Sequence, residues 1–186
     1  FFFVCVASHS PYQTVAYLIA DAKARPGQLN YGSWSVGNAV HLGSALLESL
    51  TGTRMEHIIF KETSQLYASV ANGERAFALG SSGTAGPLLR AGKLRFLAVM
   101  APHLLAGYED VPTVAESGGP AQAIATGWNV WAVSPQTPAH VVRQIRQDVT
   151  KALQAPDVLP KFQTFGYEHY FPTQAEFQQF MQEESQ

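Results

Sequence analysis

The chain has 186 residues, 46% of them hydrophobic and only 14% charged, against roughly 25% charged in an average soluble protein. Twelve Lys and Arg face 14 Asp and Glu, a formal charge of −2, and no segment concentrates the basic residues. This composition supplies a core and excludes a disordered chain. It also lacks the clustered basic face that phosphates require, so no nucleic-acid partner is expected.

The longest wholly apolar run, Phe1–Ala7, is far shorter than the roughly 20 residues that span a bilayer. It is aromatic and β-branched, bounded by Ser8, Ser10 and Pro11, and predicts a buried strand. The single cysteine, Cys5, lies inside it and reads as a small buried hydrophobe. One cysteine forms neither an internal disulfide nor a multi-cysteine zinc site. The chain opens at Phe1 without Met, basic n-region or cleavage motif. That start reads as a processed product, a fragment, or a chain whose first residues are uncounted.

Val15, Leu18, Ile19 and Ala22 recur at helical spacing and predict a helix over Thr14–Ala24, stopped by Arg25-Pro26-Gly27. Leu29–Gly32 predicts a short strand leading into the loop Ser33–Gly37, followed by a helix from Asn38 to Leu50. Met55–Phe60 predicts a strand, Thr63–Ala71 a helix, and Arg75–Leu79 another strand. That strand opens into a glycine-rich loop, Gly80–Gly86, with a short helical turn to Ala91 and a strand at Leu94–Met100. Strands that alternate with helices and lack polar alternation define an α/β fold. Its parallel βαβ units build a sheet covered on both faces.

Beyond Met100 the pattern changes to the turn-rich stretch Pro102–Pro120. Trp128–Val133 predicts a further strand. Thr137-Pro138 predicts a helix start, with Thr as N-cap and Pro at the first position. That helix runs to Leu153 with Val142, Ile145, Val149 and Ala152 on one stripe. A short helix over Val158–Phe165 and a strand over Tyr167–Phe171 follow. A last helix, opened by the capping box Thr173-Gln174-Ala175-Glu176, is expected to bury Phe177, Phe180 and Met181.

Several of these stretches together resemble a known family. They are Thr14-Val15, Ala22 to Tyr31, the helix start Gly37 to Leu42, Arg90 to Arg95, Asp110 to Gly118, and Gly127-Trp128 followed by Pro135 to Pro138. Their order and spacing are similar to the second lobe of the substrate-binding proteins of tripartite tricarboxylate transporters, the Bug family. The resemblance implies a two-lobed α/β clamp of the periplasmic-binding-protein type (type II), with a ligand held between the lobes. Phe1–Ala7 would cross into the second lobe and Trp128–Val133 would cross back. Residues 1–133 would form the second lobe, and 134–186 the C-terminal segment of a first lobe whose opening half is missing. A tail without its sheet has exposed apolar faces, so it is expected to pack on lobe two, a partner chain or an uncounted segment.

Ligands of open parallel sheets bind beyond the carboxyl ends of the strands, and two loops stand there. Ser33, Trp34, Ser35, Gly37 and Asn38 lead into a helix N-terminus whose N–H groups and dipole suit a carboxylate. The resemblance implies that this is the family's carboxylate-binding loop. Gly37 allows close approach, Asn38 caps the helix or contacts ligand, and His41 lies in the first turn as a further donor. Trp34 stands where the family has a small residue or Pro, and is a candidate to stack on a ring-bearing acid. In the second loop Gly80, Ser81 and Ser82, with Thr84, offer backbone and hydroxyl groups. The family places an acidic residue where Gly80 stands, so this chain lacks that fixed negative charge.

The second loop is neither a P-loop nor a G-x-S-x-G elbow. The six histidines show no short paired spacing, so no metal, cofactor or enzymatic activity is expected. The leading reading is a periplasmic solute-binding protein, or a fragment of one. It would capture a small organic acid and signal its closure to membrane transporter subunits. The competing reading is a stand-alone ligand-binding or interaction module without a transport role, which forms a homodimer through its C-terminal segment.

Overall fold

A computed structural model describes residues 1–165, 167 and 172–183. The chain divides into two units, one made of Phe1–Asn129 with Thr164–Gly166 and a second made of Val130–Gln163 with Tyr167–Gln186.

The first unit contains β1 (Phe3–Ala7), α1 (Val15–Ala24), β2 (Asn30–Ser33), α2 (Ala39–Thr51), β3 (Glu56–Ile59), α3 (Thr63–Ala71), β4 (Phe77–Gly80), α4 (Ser82–Arg90) and β5 (Leu94–Val99). The strands form one sheet in the order β3-β2-β4-β1-β5. β2 runs parallel to β3 and to β4, whereas β1 runs antiparallel to both of its neighbours, β4 and β5. The sheet is therefore mixed around its first strand, and parallel elsewhere, as short βαβ crossovers impose.

Both faces of the sheet are covered. Val15, Leu18, Val40 and Leu47 from α1 and α2 pack with Val4, Val6, Phe77 and Leu79 on one side. Leu66, Tyr67, Val70 and Ala85 from α3 and α4 pack with Phe3, Cys5 and Ala78 on the other. Every residue of β1 and β4 is buried, which explains why neither strand alternates with polar residues. Burial pushes the Cys5 thiol far up from its ordinary pKa, so it stays protonated and inert.

The stretch Asp110–Gly118 closes this unit. Thr113 bridges Val99 in parallel, and its N–H donates to Glu116 Oε2 at 2.9 Å while its hydroxyl accepts from Glu116 N–H at 3.1 Å. Ser117 then caps α1: its Oγ accepts from Val15 N–H at 2.8 Å and its carbonyl from Ala16 N–H at 2.9 Å. With Thr14 Oγ1 taking Tyr17 N–H, the amino end of α1 is satisfied.

Several expectations are corrected. The glycine-rich segment Gly80–Gly86 is not a loop, because Ser81 and Thr84 form a reciprocal capping box that starts α4 at Ser82. Trp128–Val133 is not a strand. No ladder pairing reaches it among the described residues, and Trp128 and Trp131 stand 42% and 70% exposed. The expected strand at Tyr167–Phe171 lies, apart from Tyr167, outside the described residues.

The second unit contains α5 (Ala139–Leu153), α6 (Leu159–Phe165) and α7 (Gln174–Glu183). α5 starts one residue later than expected, with Pro138 in the cap position and no side-chain cap, because its extended ψ of 138° excludes it from the helix. Thr173 and Glu176 do form the capping box of α7. Phe177, Phe180 and Met181 are only half-buried, and Val142, Ile145 and Ala152 on the α5 stripe are exposed. No residue is buried over 130–162, at 167 or over 172–183.

Candidate functional site

The sheet reverses direction once. From β2 the chain passes through α2 to β3 on one side, then through α3 to β4 on the other side of β2. α2 and α3 consequently lie on opposite faces. The carboxyl ends of the adjacent strands β2 and β4 flank the point of reversal, where doubly wound sheets open a crevice for ligands. Register aligns Gly32 with Ala78, so the segments after Ser33 and Gly80 emerge side by side. The two loops singled out in the sequence meet at this edge.

After β2, Ser33 is fully buried and Ser35 and Gly37 are exposed. Gly37 holds φ +80°, a conformation that only glycine adopts without strain. Asn38 organises the turn with its whole side chain. Its Oδ1 accepts from Val40 N–H at 2.8 Å and His41 N–H at 3.0 Å, and its Nδ2 donates to Ser35 O at 2.5 Å and Ser33 Oγ at 3.3 Å. Asn38 is thus committed as the N-cap. The expectation of a row of free donors at this helix end is corrected, because Val40 and His41 N–H are occupied by Asn38 and Gly37 N–H by His41 Nδ1 at 3.1 Å. The N–H groups of Ser35, Val36, Asn38 and Ala39 carry no hydrogen bond within the described residues.

Beneath the turn lies a group that sequence spacing conceals. His57 of β3 aligns with Tyr31 of β2, and their rings stack at 5.2 Å. The ring of His41, in the first turn of α2, lies 4.2 Å from that of His57 on β3. His57 Nε2 is 2.7 Å from Ser33 Oγ, joining the pair to the Asn38 network. Partial burial, then the proximity of His41, lowers the His57 pKa from its ordinary value of 6.5. Tyr31 donates to Glu48 Oε2 at 3.1 Å, and burial with that carboxylate drives its pKa upward. No group of three or more metal-binding side chains occurs among the described residues.

After β4, Ser81 Oγ accepts from Thr84 N–H at 3.1 Å and Thr84 Oγ1 accepts from Ser81 N–H at 3.0 Å. Ser82 is 3% exposed and its hydroxyl has no partner among the described residues. Its N–H and that of Gly83 find no acceptor among the described residues, leaving donors at the amino end of α4. Tyr67, expected to face inward from α3 but not as a site residue, donates to Leu79 O at 2.9 Å and lies 3.0 Å from Thr84 Oγ1. Trp34 is half-buried and packs on both core clusters, so it is as much a wedge between the faces as a surface ring.

A mixed sheet covered on both faces, with two helix starts at its switch point, is an α/β arrangement that matches periplasmic binding protein structures. The sequence profile of the tripartite tricarboxylate transporter family receptor, TctC, matches residues 2–186, so the chain belongs to that family. A UPF0065 protein of Bordetella pertussis is 27% identical over 174 residues, 94% of this chain and 54% of the relative. The structure of R. palustris Rpa4515 with adipate superposes with a TM-score of 0.88 at 26% identity, covering 98% of this chain and 61% of that one. MatC from Rhodopseudomonas palustris with bound malate shares the fold, at TM-score 0.75 and 20% identity over 89% of this chain and 56% of that one. The chain spans about half the length of the curated relatives it matches.

Proposed function

We propose that this chain supplies the second lobe of a periplasmic receptor that captures a small organic acid for membrane transporter subunits. The observation that carries the reading is the convergence of the α2 and α4 starts on one sheet edge, each with unoccupied N–H donors. Such ends favour a carboxylate through their donors and their dipoles together. Ser35, Gly37 and the free N–H groups around them form one contact, and Gly80, Ser81 and Ser82 the other. Ser33, Asn38 and His41 hold the first turn in shape, and Trp34 borders it. The adipate seen with Rpa4515 fits the same chemistry, a flexible chain ending in carboxylates. Recognition is non-covalent. Residues 1–133 form this lobe, and the helices after it belong to the other lobe, which the additional length of the relatives completes.

The test is an amide-resolved NMR titration with adipate, malate and a ring-bearing acid. Shifts concentrated at 33–39 and 80–84 support the reading. Saturable binding elsewhere, or no shift at millimolar acid, overturns it. Light scattering addresses the second unit, whose exposed Trp131 and α5 stripe favour a covering partner. A homodimer would favour the stand-alone module, and a monomer the two-lobed receptor.

A further inference from the structure

We propose that His41 is a proton-operated latch on the turn 33–38, closed while its imidazole is neutral and opened when Nδ1 takes up a proton. The consequence for ligand rests on the carboxylate reading above, whereas the latch itself does not.

The geometry is specific about protons. Gly37 N–H donates to His41 Nδ1 at 3.1 Å, so that nitrogen is an acceptor with no hydrogen of its own. A proton arriving from solvent at Nδ1 turns the acceptor into a donor. Two N–H groups then face each other and the bond breaks. The rest of the turn stays anchored, because Asn38 grips the backbone N–H groups of Val40 and His41 and the carbonyl of Ser35 independently of the imidazole. Release is confined to the peptide of Gly37, whose φ of +80° is one of several conformations glycine visits freely.

The surroundings make this a single-proton device. His57 of β3 lies at 4.2 Å and Tyr31 of β2 at 6.5 Å from the His41 ring, and the Tyr31 hydroxyl is tied to Glu48 further along α2. β4, packed on the same face, contributes Phe77 and Leu79, neither of which titrates. Glu56 precedes His57 and by strand alternation points to the opposite face. Two imidazolium rings so close repel, so the pair takes up one proton more readily than two.

A cation in the first turn of α2 opposes the positive end of the helix dipole, and an anion bound at the same end relieves that opposition. Protonation also frees the N–H of Gly37 beside the donors already unoccupied. Carboxylate binding and His41 protonation therefore favour each other, and affinity rises as pH falls through the range in which imidazoles charge.

The experiment follows the Gly37 amide by NMR between pH 8 and pH 5 without ligand, in the unaltered chain, His41→Phe and His41→Gln. A sigmoidal shift with loss of exchange protection, abolished in both variants, is the expected result. A Gly37 resonance that does not titrate, or one that titrates equally without His41, overturns the latch. Adipate binding is then measured at pH 7.5 and 6.0, where its carboxylates stay largely ionised. Affinity is expected to rise about fivefold or more in the unaltered chain, and not in His41→Phe. A titrating Gly37 with no adipate binding at either pH upholds the latch and overturns only the carboxylate reading.

Discussion

The hydroxyl of Tyr67 stands where a side chain on Gly80 would begin. A Cβ built on Gly80 would lie 2.7 Å from Tyr67 Oη and 3.0 Å from Cys5 Sγ. The resemblance to the Bug family places an acidic residue at this position, and here the tyrosine has taken its space. Gly80→Ala is therefore expected to destabilise the first unit by about 1–3 kcal/mol, the usual effect of overpacking. Tyr67→Phe in the same chain should recover part of that loss by removing the crowding oxygen. Urea unfolding of the two single variants and the double variant measures the coupling, and strictly additive effects would contradict the clash.

Gly37 presents the opposite case. Nothing lies within 4 Å of a Cβ built on it, yet its φ is +80°. Gly37→Val should leave the core packing intact and strain the turn by about 1–3 kcal/mol. The branched side chain would also stand in the path of a carboxylate. Unchanged affinity for every acid tested would show that no carboxylate reaches this helix end.

Asn38→Ala removes an acceptor of two backbone N–H groups and a donor to Ser35 O together. A stability loss of about 1–2 kcal/mol is expected, toward the upper end for an N-cap. Asn38→Asp keeps the acceptor and loses the donor, so it should recover the protection of Val40 and His41 but not the position of Ser35. Hydrogen exchange at those amides distinguishes the two changes. Equal protection in both variants would refute the division of labour.

His57 carries a pH dependence whose sign follows from its environment. Its pKa is lowered on folding, so the unfolded chain binds the proton more readily. Its contribution to stability is complete above the ordinary value of 6.5. It declines as pH falls from there toward the lower folded value. Thermal unfolding between pH 8 and pH 5 should show this decline, and His57→Phe, which keeps a ring against Tyr31, should flatten it. A melting temperature that rises on acidification would reverse the sign and refute the assignment.

What sequence reading reached and what it missed divide by the range of the interactions involved. α3 is Thr63–Ala71 as its spacing predicts, and α1 is Val15–Ala24, one residue shorter than the predicted Thr14–Ala24 because Thr14 caps it, since periodicity is local. α4 was obscured because Gly83, Gly86 and Pro87 are poor helix residues, outweighed here by the capping box and by packing of Ala85. Trp128–Val133 has the composition of a strand, but a strand also needs an edge to pair with, which composition does not report. The two candidate loops were legible from the order of strands and helices. The pairing of His41 with His57 was not, because it needs both the β2–β3 register that sets His57 beside Tyr31 and the packing of α2 on that face of the sheet.

The position of β1 has a consequence for how this unit is assembled. It comes first in the chain, yet lies between β4 and β5 and is antiparallel to both. During synthesis its edges stay without partners until both of those later strands have been made. All five of its residues are destined for burial, so the growing chain carries an open apolar segment through most of the unit's production. The sheet therefore cannot grow outward from β1. It closes late, when the hairpin-free centre of the sheet receives a strand made long before, a long-range pairing of the kind that slows folding and invites aggregation.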